Sequence, residues 1–245
     1  MDAGHRRAPG EGWQYDGVEN PYRKLSRQQA SDAVTGLGWR LVLGELRTEV
    51  RTGSLPLAAD VAARAASAVG ADGHLRLDVR ADRVMLALQT AAVGWVTERD
   101  VELAQRITAV AAELRLDTVR TGAGRSVQVL EIGIDTLDAA AIRPFWRAVL
   151  GYADEPGRFG PWDGLIDPLG QGPAVWFQRM DAPRPQRNRI HLDVSVPHDE
   201  AEPRIRAALA AGGTLINDAA APAFWVLADA EGNEACVTTW QGRDG

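Results

Sequence analysis

Apolar residues along the chain recur with a period of either about 3.6 or about 2, and the places where the period changes mark the elements. Residues 1–24 carry Gly, Pro, Arg and Asp without an apolar period and read as a flexible tail. Ser26 to Gln29 (SRQQ) has the spacing of a capping box and predicts a first helix ending near Gly36. WRLVLG and LRTEVRT flank Gly44-Glu45 and predict a hairpin. Residues 57–69 (LAADVAARAASAV) have helical spacing up to Gly70. HLRLDVRA and RVMLALQT read as two strands around Asp82, and VELAQRITAVAAEL as an amphipathic helix that Thr97 and Asp100 are spaced to cap. The order over residues 25–117 is αββαββα.

Residues 118–126 are polar and Gly-containing and read as a linker. The GAG at 122–124 is no dinucleotide loop, because a helix precedes it, a strand follows it and a third glycine is missing. From residue 127 to 241 the pattern changes. VQVLEIGID is a strand, residues 138–152 a helix ending at Gly151, and LIDP and PAVWFQRM further strands. RIHLDVSV then opens a second round, with DEAEPRIRAALAAGG as helix and TLIND, FWVLAD and EACVTTW as strands. The two rounds begin about 60 residues apart, which is an internal duplication of a βαβββ unit. Duplicated units of this kind pair to enclose a cleft. The fold class is therefore α+β.

Composition narrows the function. With 245 residues and 45% hydrophobic content, the chain is long enough for two domains. No apolar run reaches the length of a membrane span, so no membrane partner is expected. No apolar h-region follows the basic residues at the start, so no secretory signal is expected. The single cysteine, Cys236, excludes an internal disulfide and suits a cytoplasmic location. A net charge of −6 argues against a nucleic-acid partner. A small-molecule ligand remains as the expected partner.

In the first half, GHLRLDVRADRVMLALQTAAVGWVTERDVELAQRI, preceded by the Trp39 hairpin, resembles the pterin-4a-carbinolamine dehydratase family over residues 25–117. That family removes water from a 4a-hydroxytetrahydropterin, which needs one proton delivered to the leaving hydroxyl and one taken from nitrogen. Histidine suits both transfers because it titrates near neutrality. The family's His-His-Pro run falls on Gly73-His74-Leu75, and its Thr-His pair on Thr90-Ala91, so one of three histidines is kept. The resemblance makes His74 and Asp100 the candidate catalytic residues. Without it, His74 is a polar residue opening a strand and Asp100 a helix cap.

In the second half, DTLDAAAIRPFWRAVLGY, QRNRIHLDVSV and VLADAEGNEACV resemble the glyoxalase-like branch of the vicinal-oxygen-chelate superfamily. Its clearest marks are Phe145-Trp146, Leu150-Gly151 and the Asp229-x-x-Gly232-Asn233 turn. Metal-using members hold a divalent ion with His and Glu from paired strands. The resemblance places Glu131, His191 and Cys236 at such positions, all of them acceptable ligand types. The alternative is a metal-free site with Cys236 as a small buried apolar residue. Arg189, His191 and Asp193 alternate along one strand and share a face, which is either a ligand-binding patch or a solvated surface. Trp176 and Trp225 lie on strands expected to line the cleft and are candidate ligand walls, whereas Trp146 is expected in the core.

Three readings follow. The first is a lyase of the 4a-hydroxytetrahydropterin dehydratase type, or a degenerate relative of one, needing no cofactor. The second is a glyoxalase-like enzyme, with or without a divalent metal. The third is a non-catalytic binder of an aromatic compound. Both resemblances make a homodimer the default expectation, the alternative being that the two modules of one chain close their own cleft.

Overall fold

A computed structural model describes residues 22–68, 70–118, 127–156, 158–183 and 190–242, which fall into two compact units. Among these residues no helix is long and apolar enough to cross a membrane.

The N-terminal unit runs α1 (Arg27–Thr35), β1 (Arg40–Val42), β2 (Glu45–Arg51), α2 (Leu55–Ala66), β3 (Leu75–Val79), β4 (Arg83–Leu88) and α3 (Glu98–Glu113), the order the apolar pattern predicts. Ser26 caps α1 with its hydroxyl while the Gln29 side chain accepts from the Ser26 N–H, which completes the capping box. The first hairpin turns at Leu43-Gly44, one residue earlier than expected. Both residues have positive φ (49° and 74°), the two-residue geometry that matches strand twist, and this leaves Glu45 to pair with Val42. Helix α2 starts at Leu55 because Ser54 caps it and Pro56 fits its first turn. It stops at Ala66, short of the expected 69.

The strands form one antiparallel sheet in the order β1-β2-β4-β3. Strand alternation sorts its two faces. Leu46, Val50, Val84, Leu86 and Leu88 join Val34, Val61, Leu103 and Ile107 of the helices in one core, with Trp39 fully buried among them. The opposite face carries arginines arranged round two acidic residues. Arg47 and Arg76 flank Glu45, and Arg51 and Arg83 flank Glu49.

The C-terminal unit is the expected duplication. Its first module is β5 (Glu131–Thr136), α4 (Ala139–Leu150), β6 (Ala153–Asp154), β7 (Leu165–Ile166) and β8 (Ala174–Arg179). Its second is β9 (Leu192–Ser195), α5 (Ala201–Ala210), β10 (Thr214–Asn217), β11 (Phe224–Ala228) and β12 (Glu234–Thr238). The sheets run β5-β8-β7-β6 and β9-β12-β11-β10, so in each module the first strand lies parallel to the last. Strand β6 escaped the sequence reading because two residues carry no period.

One core joins the modules. Phe145 and Trp146 of α4 pack edge to face, 5.4 Å between centroids, and share a cluster with Ile205, Ala208, Leu227 and Val237. Trp146 is therefore a core residue, as expected. Its indole N–H donates to Asp229 Oδ2 (2.9 Å) in the turn between β11 and β12. Two residues on, Glu231 accepts from the Thr136 hydroxyl (2.6 Å) and from the N–H groups of Leu137 and Asp138. The turn of the second module thus grips the β5–α4 junction of the first. Burial pushes the Glu231 carboxyl up, but these donors outweigh it and hold it below its ordinary value of 4.5.

A carboxyl lowered on folding stabilises the native state fully above its unfolded value, and the gain is lost as pH falls through the native one. Glu231→Gln should therefore lower the urea midpoint at pH 7, with the gap to the parent narrowing below about pH 4.5. An equal gap at pH 7 and pH 3 would exclude the ionised clamp. Gly213 offers a second check, because a Cβ there would lie 2.4 Å from the Phe145 ring and 2.9 Å from the Ala208 carbonyl oxygen. Gly213→Val should cost about 1–3 kcal/mol by overpacking, read as a lower urea midpoint.

Candidate functional site

In the N-terminal unit the two expected catalytic residues meet. His74 stands just before β3, and Asp100 is the third residue of α3. His74 Nδ1 lies 2.8 Å from Asp100 Oδ1; the Asp100 side chain is fully buried and the histidine 14% exposed. The other carboxylate oxygen, Oδ2, accepts from the Thr97 N–H (2.7 Å), the Thr90 hydroxyl (2.8 Å) and the Thr97 hydroxyl (3.2 Å). Thr90 and Thr97 also touch each other at 2.7 Å, and Thr90 Oγ1 lies 3.2 Å from His74 Nδ1.

Hydrogen-bond roles at this contact follow from the carboxylate form of Asp100. An ionised carboxylate only accepts, so His74 donates from Nδ1 to Asp100. The basic lone pair then resides on Nε2, the nitrogen left for a ligand. The cap and the catalytic candidate prove compatible roles: Asp100 closes the first turn of α3 through Oδ2 and orients His74 through Oδ1. Thr90 was missed as a contributor by sequence reasoning. Its signal lay in the Thr90, Thr97 and Asp100 spacing, but only the fold brings β4's end onto the start of α3.

In the C-terminal unit strand alternation again separates two faces. Leu192 and Val196 pack on the core, whereas His191 and Asp193 turn away from the helices, as the alternation predicts. Cys236 pairs with Asp193 across β12 and β9 and takes the same face; it is buried, yet outside the core cluster. His191 Nδ1 lies 3.2 Å from Asp193 Oδ1 and 3.8 Å from Cys236 Sγ. These three residues form the one His/Cys/Asp/Glu group among the described residues whose ligand atoms all lie within 4.8 Å of one another.

Other expectations fare differently. Glu131, expected beside His191 and Cys236, starts β5 as an exposed residue and does not join that group. Trp225, expected as a ligand wall, pairs with Val237 and packs on the core side of its sheet. Trp176 does stand on the side away from the helices. It lies 41% exposed over Gly133, where a Cβ would come within 3.0 Å of the indole. Arg189 lies outside the described residues. The donor chemistry at His191, Asp193 and Cys236 fits a divalent ion in kind, since imidazole, carboxylate and thiolate all bind zinc. It gathers within the second module instead of reaching to Glu131.

Comparison with known proteins divides the chain at the same place. Residues 131–238 match the model of the family described as Glyoxalase-like domain, and residues 23–110 that of Pterin 4 alpha carbinolamine dehydratase. The Mycolicibacterium smegmatis protein named "Putative pterin-4-alpha-carbinolamine dehydratase" is 34% identical over 91 residues, covering 36% of this chain and 97% of that protein. Among solved structures, a glyoxalase/bleomycin resistance protein/dioxygenase family enzyme from Burkholderia phytofirmans is 21% identical (TM-score 0.38, 44% of this chain, 95% of that one). A glyoxalase-related enzyme from Fulvimarina pelagi is also 21% identical (TM-score 0.35, 47% of this chain, 88% of that one).

Thr90→Val keeps the volume but removes a hydrogen bond to a buried carboxylate. It should destabilise the chain by about 1.5–3 kcal/mol in urea unfolding, because bonds to charged groups are the stronger kind. A loss under about 0.5 kcal/mol, within the range of surface substitutions, would show that Thr97 alone satisfies Asp100 Oδ2.

Proposed function

Since the chain belongs, through residues 23–110, to the pterin-4-alpha-carbinolamine dehydratase family, we propose that its N-terminal domain is a lyase that dehydrates a 4a-hydroxytetrahydropterin with His74 as its proton carrier. The observation that carries this reading is the 2.8 Å contact between His74 Nδ1 and buried Asp100. Protonated His74 gives its Nε2 proton to the leaving hydroxyl as the C4a–O bond breaks, and water departs. The imidazole left behind accepts the proton that a ring nitrogen of the substrate must lose. The quinonoid dihydropterin is formed and His74 returns to its starting state, so atoms and charge balance with no cofactor. One histidine serves in sequence the two transfers that the family pattern spreads over several, and Asp100 keeps its tautomer fixed between them.

The C-terminal domain supports a second role as a ligand-binding module. Trp176, half-exposed over Gly133, offers an indole face on which a planar compound can stack. We place the chain in the cytoplasm as a homodimer whose partner is a small molecule, with neither nucleic acid nor membrane involved.

The test is dehydration of synthetic 4a-hydroxytetrahydropterin by the purified full chain. We expect acceleration over the spontaneous rate that falls about 10²–10⁴-fold in His74→Ala, the usual share of a general acid–base group. Asp100→Asn should lose rate through kcat with KM little changed, and its pH–rate profile should shift, which a mere folding defect would not produce. No acceleration by the parent chain would rule out the lyase. The second role is read by tryptophan quenching with a planar heterocycle, expected to disappear in Trp176→Ala.

A further inference from the structure

We propose that the substrate of the His74 site is a pterin whose side chain carries an anionic group, a carboxylate or a phosphate, and that Arg76 and Arg47 hold that group. The proposal deepens the lyase reading and rests on it for the reacting ring. Its basis is where the strand ladder puts the two arginines. The pairing of β3 with β4 continues one rung beyond Leu75, where the Gln89 N–H donates to the His74 carbonyl oxygen (3.0 Å). Leu75 and Leu77 pack on the core, so His74 and Arg76 share the opposite parity, a step of about 6.6 Å along the strand.

The Arg76 guanidinium does not stay over its own strand. It reaches from β3 across β4 to Glu45 on β2 and grips the carboxylate with both ends, Nη1 to Oε1 at 2.8 Å and Nη2 to Oε2 at 3.0 Å. The crossing has room because the residue beside Arg76 on β4 is Ala87, which is buried yet outside the core cluster. Glu45 lies level with Gln89, since Leu46 pairs with Leu88, and Gln89 is level with His74. The charged end of Arg76 is thereby drawn along the sheet toward the His74 rung. Arg47 Nη2 meets the same Glu45 carboxylate at 2.5 Å.

One carboxylate between two guanidinia leaves a surplus. Two guanidinia carry about ten N–H donors, against about four lone-pair sites on a carboxylate. Arg47 Nε is, among the described residues, the one buried side-chain nitrogen or oxygen with no hydrogen-bond partner. The Arg76 side chain is 52% exposed, so a ligand can reach it. A positive surplus beside His74, in a chain of net charge −6, is placed to attract an anion. The side chain of a pterin leaves the ring at C6, two bonds from C4a. An acid group on a short side chain therefore falls at the spacing of Arg76 from His74 while the C4a hydroxyl meets Nε2.

The test is binding of stable, fully oxidised pterins, followed by their own fluorescence, to the full chain and to Trp176→Ala, which removes the C-terminal indole face. The ligands are pterin-6-carboxylate, 6-hydroxymethylpterin and the phosphate ester of the latter. At low salt at least one of the anions should bind about 10-fold or more tighter than the neutral alcohol, the worth of a charge-assisted hydrogen bond, and the tighter of the two identifies the group. The preference should shrink as salt rises. Arg76→Gln should abolish it, with Arg47 still pairing Glu45 to keep the sheet intact. Arg76→Lys should retain part of it, because the charge stays and the fork is lost. Arg83→Gln, at the far end of the same face, should keep it. No binding, equal affinity for the three ligands, or a preference that survives Arg76→Gln would overturn the proposal. Turnover of a neutral 4a-hydroxytetrahydropterin is measured separately. Turnover without an anion preference removes the anion site and leaves the lyase, whereas an anion preference without turnover removes the lyase and leaves the anion site.

Discussion

A carboxylate taken out of water must find donors for both its oxygens, and each domain of this protein is organised around one aspartate that does so. Asp100 is fully buried and draws His74, Thr90 and Thr97 to itself, which pins the start of β3, the end of β4 and the first turn of α3 to one point. Asp229 is nearly as buried. It takes Glu231 N–H and Asn233 N–H on one oxygen, and the Trp146 indole and Asn233 amide on the other. Such residues allow little variation in their surroundings, because each donor lost leaves a charge unsatisfied in a poor solvent for it. The first aspartate holds the His74 imidazole in place. The second joins two halves of a duplication, with Glu231 adding a second hold on the same junction.

Much of this was legible in the sequence, where local chemistry and period decide the outcome. The Thr97-x-x-Asp100 spacing announced a cap, and the repeat of strand, helix and strands announced the duplication. Long-range consequences were not legible. Nothing local says that Thr90 will reach Asp100, since their contact depends on β4 ending where α3 begins. The face of Trp225 was equally hidden. Phe224 to Ala228 are all apolar, so alternation gives no parity and only the pairing with Val237 assigns the indole to the core. His191 and Asp193 were readable because apolar neighbours alternate with them.

Resemblance and residue chemistry contributed different things. Resemblance named two families, and the models of the same two families match the chain. It grouped Glu131 with His191 and Cys236, whereas the close donor group among the described residues holds Asp193 beside those two. Asp193 reaches them because it shares a rung with Cys236, and a rung fixes distance in a way that sequence position does not.

The duplicated modules show how one topology yields two surfaces. In both, the first strand lies parallel to the last, and one rung of that pair faces away from the helices near mid-strand. In the first module that rung is Gly133 and Trp176, an indole laid over a residue with no side chain. In the second it is Asp193 and Cys236, two donor side chains at close quarters. The backbone hydrogen bonds are of the same kind in each, so the scaffold is indifferent to what the rung carries. An apolar wall and a polar grip are the two components a binding site for a small heterocycle combines. The outward rungs differ between the copies, while the buried residues on the other face, Ile134, Val175, Ala235 and Val237, stay apolar in both.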